Sequence, residues 1–168
     1  MQQRIEFFTA TCLNWQPLLY PDKHKQIILN SLRFLVNDKR IWLYGYVIMP
    51  NHIHILWCKQ SNWLYKNVQQ HFSKYTAQQI KFNLLNTGAD ISIYKSTQND
   101  REYQFWERRP HTATMYNRTV LEQKLDYIHH NPVKAKLVSL PEDYLYSSAG
   151  YYINNQADDL LTHYMEHI

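Results

Sequence analysis

Two histidines separated by one isoleucine, inside a short apolar segment, constrain the fold and chemistry of this chain more than any other feature. The segment covers residues 46–57 and is interrupted by a Pro-Asn pair, which predicts two strands joined by a tight turn. Successive side chains of a strand point to opposite faces of its sheet. We therefore expect His52 and His54 side by side on one face, with Ile53 on the other. Two adjacent imidazoles can hold a divalent metal or a phosphate, although an isolated pair is more often two ordinary surface histidines.

The composition is that of a folded domain with a mildly basic balance. The chain has 168 residues, of which 45% are hydrophobic and 19% charged, with a formal net charge of +4. This length predicts one domain over residues 1–168, with residues 154–168 as a peripheral tail. No apolar run approaches the roughly 20 residues of a membrane span, so no membrane contact is expected. Cys12 and Cys58 lack metal-finger spacing and are expected to be buried thiols in a reducing compartment.

Hydrophobic periodicity predicts the order strand, helix, strand, strand, helix, strand, helix. The predicted strands cover residues 4–14, 41–49, 52–58 and 105–114, and the predicted helices residues 22–37, 62–85 and 118–130. Asn117 is expected to cap the third helix. Short helices are expected near residues 132–135 and 146–153. The order β-α-β-β-α-β is that of the ferredoxin-like fold, an antiparallel sheet with helices packed on it, so the predicted fold class is α+β.

The third helix carries a tyrosine and an amide away from its apolar stripe. The stripe is predicted at three positions with helical spacing, Leu121, Leu125 and Ile128. Tyr127 lies about 120° from this stripe, given ~100° of rotation per residue. Asn131 follows one turn later on nearly the same face, and Pro132 is expected to end the helix there. Taken alone, this arrangement is also that of an ordinary tyrosine at a helix boundary.

Several motifs together resemble one protein family. They are Met-Pro-Asn-His-Ile-His-Ile-Leu at 49–56, Phe-Trp-Glu at 105–107, Asp-Tyr-Ile-His-His-Asn-Pro-Val-Lys-Ala at 126–135 and Tyr-Leu-Tyr-Ser-Ser-Ala at 144–149. In order and spacing they resemble the REP-associated tyrosine transposases. These are relatives of the single-tyrosine insertion-sequence transposases, within the HUH superfamily of single-strand DNA nucleases. The resemblance covers roughly residues 5–152 and is more specific than the histidine pair alone.

The resemblance implies an HUH nuclease fold and assigns roles to four residues. His52 and His54 match the histidine pair that coordinates Mg²⁺ or Mn²⁺, and Asn131 matches the amide residue that completes the metal site. Tyr127 matches the nucleophile. The implied activity is that of a transposase, a metal-dependent single-stranded DNA endonuclease and strand transferase. Such an enzyme cuts hairpin-associated DNA through a 5′-phosphotyrosine intermediate.

The resemblance also implies partners and a location. Single-stranded or hairpin DNA is the expected partner, and because some relatives are dimers that exchange the tyrosine helix, a homodimer is one expected state. The implied location is the cytoplasm of a prokaryote, in association with the nucleoid. For DNA contact the sequence favours six basic residues, Lys74, Lys81, Arg108, Arg109, Lys134 and Lys136. The two arginines stand beside two aromatic residues, a mixture that suits base stacking and phosphate binding.

Two other functions stay open from the sequence. A domesticated relative could bind hairpin DNA or RNA without cutting it, although a pure binder does not need the histidines and the tyrosine. A zinc-dependent hydrolase could use His52, His54 and Cys58, but the sequence offers no general base at a motif spacing. Tyr75, on the second helix, is the rival nucleophile. Its apolar neighbours at helical spacing favour a packing role instead.

Overall fold

The computed structural model describes residues 4–168, which contain both strands and helices. The strands and helices are, in chain order, β1 (Ile5–Thr11), α1 (Asp22–Asn37), β2 (Ile41–Ile48), β3 (His52–Lys59), α2 (Val68–Asn86), β4 (His111–Thr114), α3 (Arg118–Lys134) and α4 (Ala149–Ile153). Within the described residues, none of the helices has the length and apolarity that a membrane crossing requires.

The four strands form one sheet in the order β2-β3-β1-β4, and every neighbouring pair is antiparallel. β3 is inserted between β1 and β2, and β4 adds to the outer side of β1, which is the ferredoxin-like arrangement. The predicted α+β fold class is thus confirmed. β4 is shorter than the predicted strand over residues 105–114. It begins only after Pro110, which has no N–H to give to a ladder, while Trp106 makes an isolated bridge with Cys12.

The two faces of the sheet are covered differently. On one face α1 and α2 pack against the strands, and Phe8 and Trp57 meet Phe72 of α2 in a stacked and edge-to-face aromatic cluster. On the opposite face α3 packs through its apolar stripe, and Leu125 and Ile128 are buried there. The predicted stripe of the third helix is therefore confirmed, and helices lie on both faces of the sheet.

Gly45 allows α3 to approach β2 closely. A Cβ atom at this position would lie 2.6 Å from Cδ2 of Leu125 and 3.3 Å from Oγ of Ser148. Both neighbours are buried, so neither has free space into which it can move. The absence of a side chain at Gly45 therefore sets how closely the helix that carries Tyr127 sits on the sheet.

The boundaries of α2 and α3 differ from those predicted. α2 begins at Val68 rather than near residue 62, because Asn67 accepts a hydrogen bond from the backbone N–H of Gln70 and caps the helix there. The predicted N-cap of α3 is confirmed, since the Asn117 side chain accepts a hydrogen bond from the backbone N–H of residue 120. The predicted end of α3 at Asn131 is wrong. Pro132 is buried inside the last turn, where it costs one hydrogen bond, and packing keeps the chain helical to residue 134.

Residues 146–148 extend the sheet beyond β2 instead of beginning a helix. The backbone N–H of Ile48 donates to the carbonyl of Tyr146, and the N–H of Ser148 donates to the carbonyl of Tyr46, both at 2.9 Å. The Ser148 hydroxyl accepts a hydrogen bond from the N–H of Tyr46 at 3.0 Å and also bonds to Nε2 of His129 at 2.9 Å. Ser148 thus ties the edge of the sheet to the tyrosine helix, and α4 starts only after it.

Residues 154–168, predicted as a peripheral tail, pack against the domain. Leu160 and Tyr164 are buried. The N–H of Thr162 donates to the carbonyl of Leu43 at 2.8 Å, and the Tyr164 hydroxyl donates to a Glu122 carboxylate oxygen at 2.6 Å. The segment therefore holds β2 and the start of α3 together, and its apolar residues account for the difference from a peripheral tail.

Candidate active site

β3 places His52 and His54 on the face of the sheet that α3 partly covers. Their ring centroids are 4.8 Å apart, so the rings lie side by side as the alternation of strand side chains predicts. His54 stands directly opposite Thr9 of β1 and stacks on Phe7 at a centroid distance of 5.3 Å. With 5% of its surface exposed, His54 is buried, whereas His52 is half-buried nearer the rim.

Each imidazole is held through Nδ1. Nδ1 of His52 is 2.7 Å from the amide oxygen Oδ1 of Asn51, and because that oxygen only accepts, Nδ1 donates. Nδ1 of His54 is 2.7 Å from Oγ1 of Thr9. Nε2 of His54 is buried and has no hydrogen-bond partner among the residues that the structure describes. A buried polar atom without a partner is unfavourable unless a ligand completes it, so this nitrogen is a candidate ligand-binding atom.

Burial keeps both histidines neutral. Burial is the main cause that lowers the pKa of His54 to about 3, with smaller contributions from the neighbouring His52 and Lys124. Burial also lowers the pKa of His52, although a hydrogen bond with Asn131 raises it in part. Neutral imidazole is the form that offers a lone pair to a metal ion. Near neutral pH the pair is therefore ready to bind one.

α3 brings Tyr127 to the histidine pair. The Tyr127 ring centroid lies 5.2 Å from that of His54, and 40% of the side chain is exposed. The ammonium groups of Lys124 and Lys134 each lie 5.5 Å from the centre of the Tyr127 ring. These side chains and Asn131 fall within an arc of about 80° on the helix, at ~100° per residue. One face of α3 thus presents a phenol, an amide and two cations beside two imidazoles.

The donor set fits a hard or borderline divalent ion. His52, His54 and the Asn131 amide form a mixed nitrogen and oxygen set of the kind that suits Mn²⁺ or Mg²⁺. Outer hydrogen bonds such as those from Thr9 and Asn51 are typical of histidines that bind metal through the other nitrogen. Among the described residues no three His, Cys, Asp or Glu side chains cluster to hold a metal, so an amide ligand is needed in this set.

The zinc set of the hydrolase hypothesis is not formed. Cys58 shares the strand face of His54 but lies four residues away, about 13 Å along the strand. It is packed in the apolar cluster under α3, and burial raises the pKa of its thiol to about 11. Cys58 is therefore a free buried thiol, as expected for it and for Cys12.

The six basic residues predicted to contact DNA lie in different parts of the structure. Lys134 lies at Tyr127, as described above, and Lys136 is exposed just beyond the end of α3. A separate groove of about 920 Å³ between α2 and residues 100–110 is lined by three others, Lys74, Arg108 and Arg109. Arg108 pairs there with Asp100 at 2.8 Å, and Lys81 lies over the ring of Tyr103 at 4.7 Å. DNA contact by these six residues stays a prediction.

Two residues at the site were not predicted from the sequence. Thr9 holds His54, and only the register between β1 and β3 reveals this contact. Lys124 could have been found, because it precedes Tyr127 by three residues and so shares its helix face. His129, adjacent to the site in sequence, points the other way and is buried against Ser148.

The fold has a close counterpart among solved structures. A structure described as the REP-associated tyrosine transposase bound to a REP hairpin superimposes with a TM-score of 0.66. The match covers 96% of this chain and 90% of that chain, at 19% sequence identity. This chain has the fold of that transposase. No protein-family model matches the sequence, and no curated protein matches it.

Proposed function

We propose that the protein is a single-strand DNA endonuclease and strand transferase of the HUH transposase type, with Tyr127 as its nucleophile. The observation that supports the proposal is that the face of α3 with Tyr127 meets the face of β3 with the histidine pair. Tyr127 stands 5.2 Å, ring centroid to ring centroid, from His54, whose Nε2 is buried without a partner among the described residues. The shared fold with a hairpin-bound transposase supports the same assignment.

A tyrosine suits reactions that cut DNA and later rejoin it without an energy source. The Tyr127 phenol gives up its proton to solvent as its oxygen attacks the phosphorus of a phosphodiester. The bond from phosphorus to the 3′ oxygen breaks, and that oxygen takes up a proton from solvent and leaves as a 3′-hydroxyl. The energy of the broken bond is kept in the phosphotyrosine, so the 3′-hydroxyl of another strand can reverse the step. The 5′ polarity of this linkage comes from the family resemblance.

His52, His54 and Asn131 would hold a Mg²⁺ or Mn²⁺ ion in this proposal. When bound, such an ion supplies Lewis-acid polarisation of the scissile phosphate. The chain's own part is to keep both imidazoles neutral by burial and to fix their ring planes through Thr9 and Asn51. The site is therefore shaped before DNA arrives, which lowers the cost of aligning the phosphate with the phenol.

Lys124 and Lys134 supply positive charge on both sides of the nucleophile. Each ammonium lies 5.5 Å from the centre of the Tyr127 ring. Neither forms an ion pair with a carboxylate among the residues that the structure describes. In this proposal the two ammonium groups contact the DNA backbone next to the scissile phosphate, where charge-assisted hydrogen bonds orient the strand.

A covalent adduct tests the proposal directly. The protein is incubated with Mn²⁺ and a pool of single-stranded DNA that carries a fixed hairpin stem and randomised, labelled flanks. We expect an adduct that survives denaturing electrophoresis and is lost in Tyr127→Phe. Mass spectrometry of the digested adduct locates the modified residue, and sequencing of the captured DNA gives the preferred flank sequence for later work.

Tyr75→Phe is the matched control, because Tyr75 is also an exposed tyrosine but lies on α2, on the other face of the sheet. We expect this variant to form the adduct at the parent level. An adduct that persists in Tyr127→Phe and disappears in Tyr75→Phe would show that the nucleophile is assigned wrongly. Tight, salt-sensitive hairpin binding with no adduct under any divalent ion would instead favour the non-cleaving binding module.

A further inference from the structure

Trp15 is an exposed aromatic residue at the rim of the candidate active site. Trp15 is 62% exposed, and its ring forms a T-shaped pair with the His52 ring at a centroid distance of 5.8 Å. Of the aromatic rings around the histidine pair, Phe7 is buried and Tyr127 belongs to the proposed chemistry. Of these three rings, Trp15 is the large one that is mostly exposed and has no role in the proposed chemistry.

The backbone under Trp15 is strained. Asn14 and Trp15 both have positive φ angles, 52° and 57°, in the region that residues with a Cβ seldom occupy. Residues held in this conformation carry backbone strain, and such residues cluster at functional sites. Two residues with positive φ in succession thus end in a tryptophan that is mostly exposed.

A set of hydrogen bonds holds this strained turn in place. The Asn14 N–H donates to Oε1 of Glu107 at 2.7 Å, and the Trp15 N–H donates to the carbonyl of Cys12 at 2.9 Å. The N–H of Leu13 donates to the carbonyl of Phe105 at 2.8 Å. The Phe-Trp-Glu motif at residues 105–107 therefore anchors the turn from the far side, which gives this motif a structural purpose next to the site.

We propose that Trp15 is a stacking platform for an unpaired nucleobase in the single strand that flanks the hairpin, beside the phosphate bound at His52 and His54. The proposal rests on the function proposed above and names the contact that holds the flank. Every base has a π-face, and a fixed tryptophan offers a large complementary surface at little entropic cost, because its turn is already set. Glu107 is the positioning residue, since it acts on the base only through the turn.

Binding measurements on two forms of one DNA test the platform. In the Tyr127→Phe background, which prevents cleavage, affinities are measured for the captured hairpin with its single-stranded flank and for the same hairpin without it. We expect Trp15→Leu to weaken binding of the flanked hairpin by roughly 5- to 150-fold, which is the range for stacking of one base. The affinity for the bare hairpin should not change. Trp15→Phe should keep most of the affinity.

Two further variants separate stacking from general damage. Tyr65→Leu removes another exposed aromatic ring, which is 84% exposed and lies beyond the opposite end of β3, and we expect no change in either affinity. Glu107→Ala frees the turn but keeps the ring, and we expect a smaller loss, confined to the flanked hairpin. Flank nucleotides are also replaced one at a time with abasic sites. At a single position, the difference in affinity between proteins with Trp15 and with Trp15→Leu should disappear.

The outcomes distinguish this inference from the proposed function. If the parent protein binds the flanked hairpin and Trp15→Leu binds it equally well, Trp15 is not a platform, while the function of Tyr127 stands. An equal loss on the flanked and the bare hairpin also overturns the inference, because the ring would then act on the stem or on the fold. If the parent protein binds neither DNA, both proposals fail together.

Discussion

The two faces of the sheet are built from the same strands but have different purposes. One face stabilises the fold, and the other carries the candidate active site. On the α1 and α2 side, Phe8 and Trp57 are fully buried in an aromatic cluster. On the α3 side, the neighbouring positions Phe7 and Thr9 support His54, which keeps one nitrogen without a partner among the described residues. Because side chains alternate along a strand, each residue of β1 belongs to one face alone. Stability and chemistry can therefore be changed separately by substitutions one position apart.

The largest expected effect is on the face between the sheet and helices α1 and α2. Phe8→Ala should lower the free energy of unfolding by about 3–5 kcal/mol, because it leaves a cavity against Trp57 and Phe72. His54→Ala should cost less, because removal of Nε2, which has no partner within residues 4–168, offsets part of the lost stacking on Phe7 and the lost hydrogen bond to Thr9. This variant should nevertheless abolish the DNA adduct. Urea unfolding and adduct formation measure the two effects. A loss of stability in His54→Ala as large as that in Phe8→Ala would remove the distinction between the faces.

A smaller loss is expected where α3 meets the sheet. Gly45→Ala places a Cβ against Leu125, and overpacking of this kind costs about 1–3 kcal/mol. Adduct formation should fall as well, because Tyr127 moves with α3. The double variant Gly45→Ala/Leu125→Ala opens space for the new methyl group, so its loss of stability should be clearly less than the sum of the two single losses. Simple additivity would show that the helix does not depend on this glycine.

Thr9 offers a way to change metal binding without changing the ligands. Thr9→Val keeps the shape of the side chain but removes the oxygen that holds Nδ1 of His54. We expect Mn²⁺ affinity, measured by calorimetry or by the electron paramagnetic resonance of the free ion, to fall by roughly 10- to 100-fold. Thr9→Ser should retain the parent affinity. Equal affinities in the Val and Ser variants would show that the hydroxyl does not orient the ring.

The last expected effect is a dependence of stability on pH. Burial lowers the pKa of His129 to about 4, from 6.5 in the unfolded chain. The unfolded chain therefore takes up the proton first on acidification. The stabilisation is fully present above pH 6.5 and is lost as the pH falls towards about 4. Thermal unfolding at a series of pH values should show a shallower acid slope in His129→Gln, and an unchanged slope would mean that this histidine is not buried neutral.

The sequence was sufficient for those parts of the site that follow from local periodicity. Alternation along a strand put His52 and His54 together, and helical rotation put Tyr127 and Asn131 on one face away from the apolar stripe. The order of strands and helices, together with the short turn before His52, was enough for the ferredoxin-like fold. These patterns are local, so they can be recognised without knowing which strands become neighbours.

The remaining features depend on contacts between distant parts of the chain. Thr9 reaches His54 only because β1 pairs with β3 in one register, and an apolar pattern does not determine which residue stands opposite which. Pro132 is compatible with the last turn of α3 because burial outweighs the lost hydrogen bond. The segment at 154–168 looks polar, yet two leucines and a tyrosine in it are buried. Thr162 bonds to β2, and Tyr164 bonds to α3.

The hydrogen bonds of Ser148 bear on the order in which the chain can assemble during synthesis. Ser148 lies 102 positions after Tyr46 and bonds to both Tyr46 and His129. The first 86 residues contain β1, β2, β3 and both helices of the opposite face, so that face can form while the ribosome is still at work. The tyrosine helix gains its anchor at the sheet edge only after residue 148 has emerged. An unfinished chain therefore carries the histidines and the phenol without the support that holds them in register.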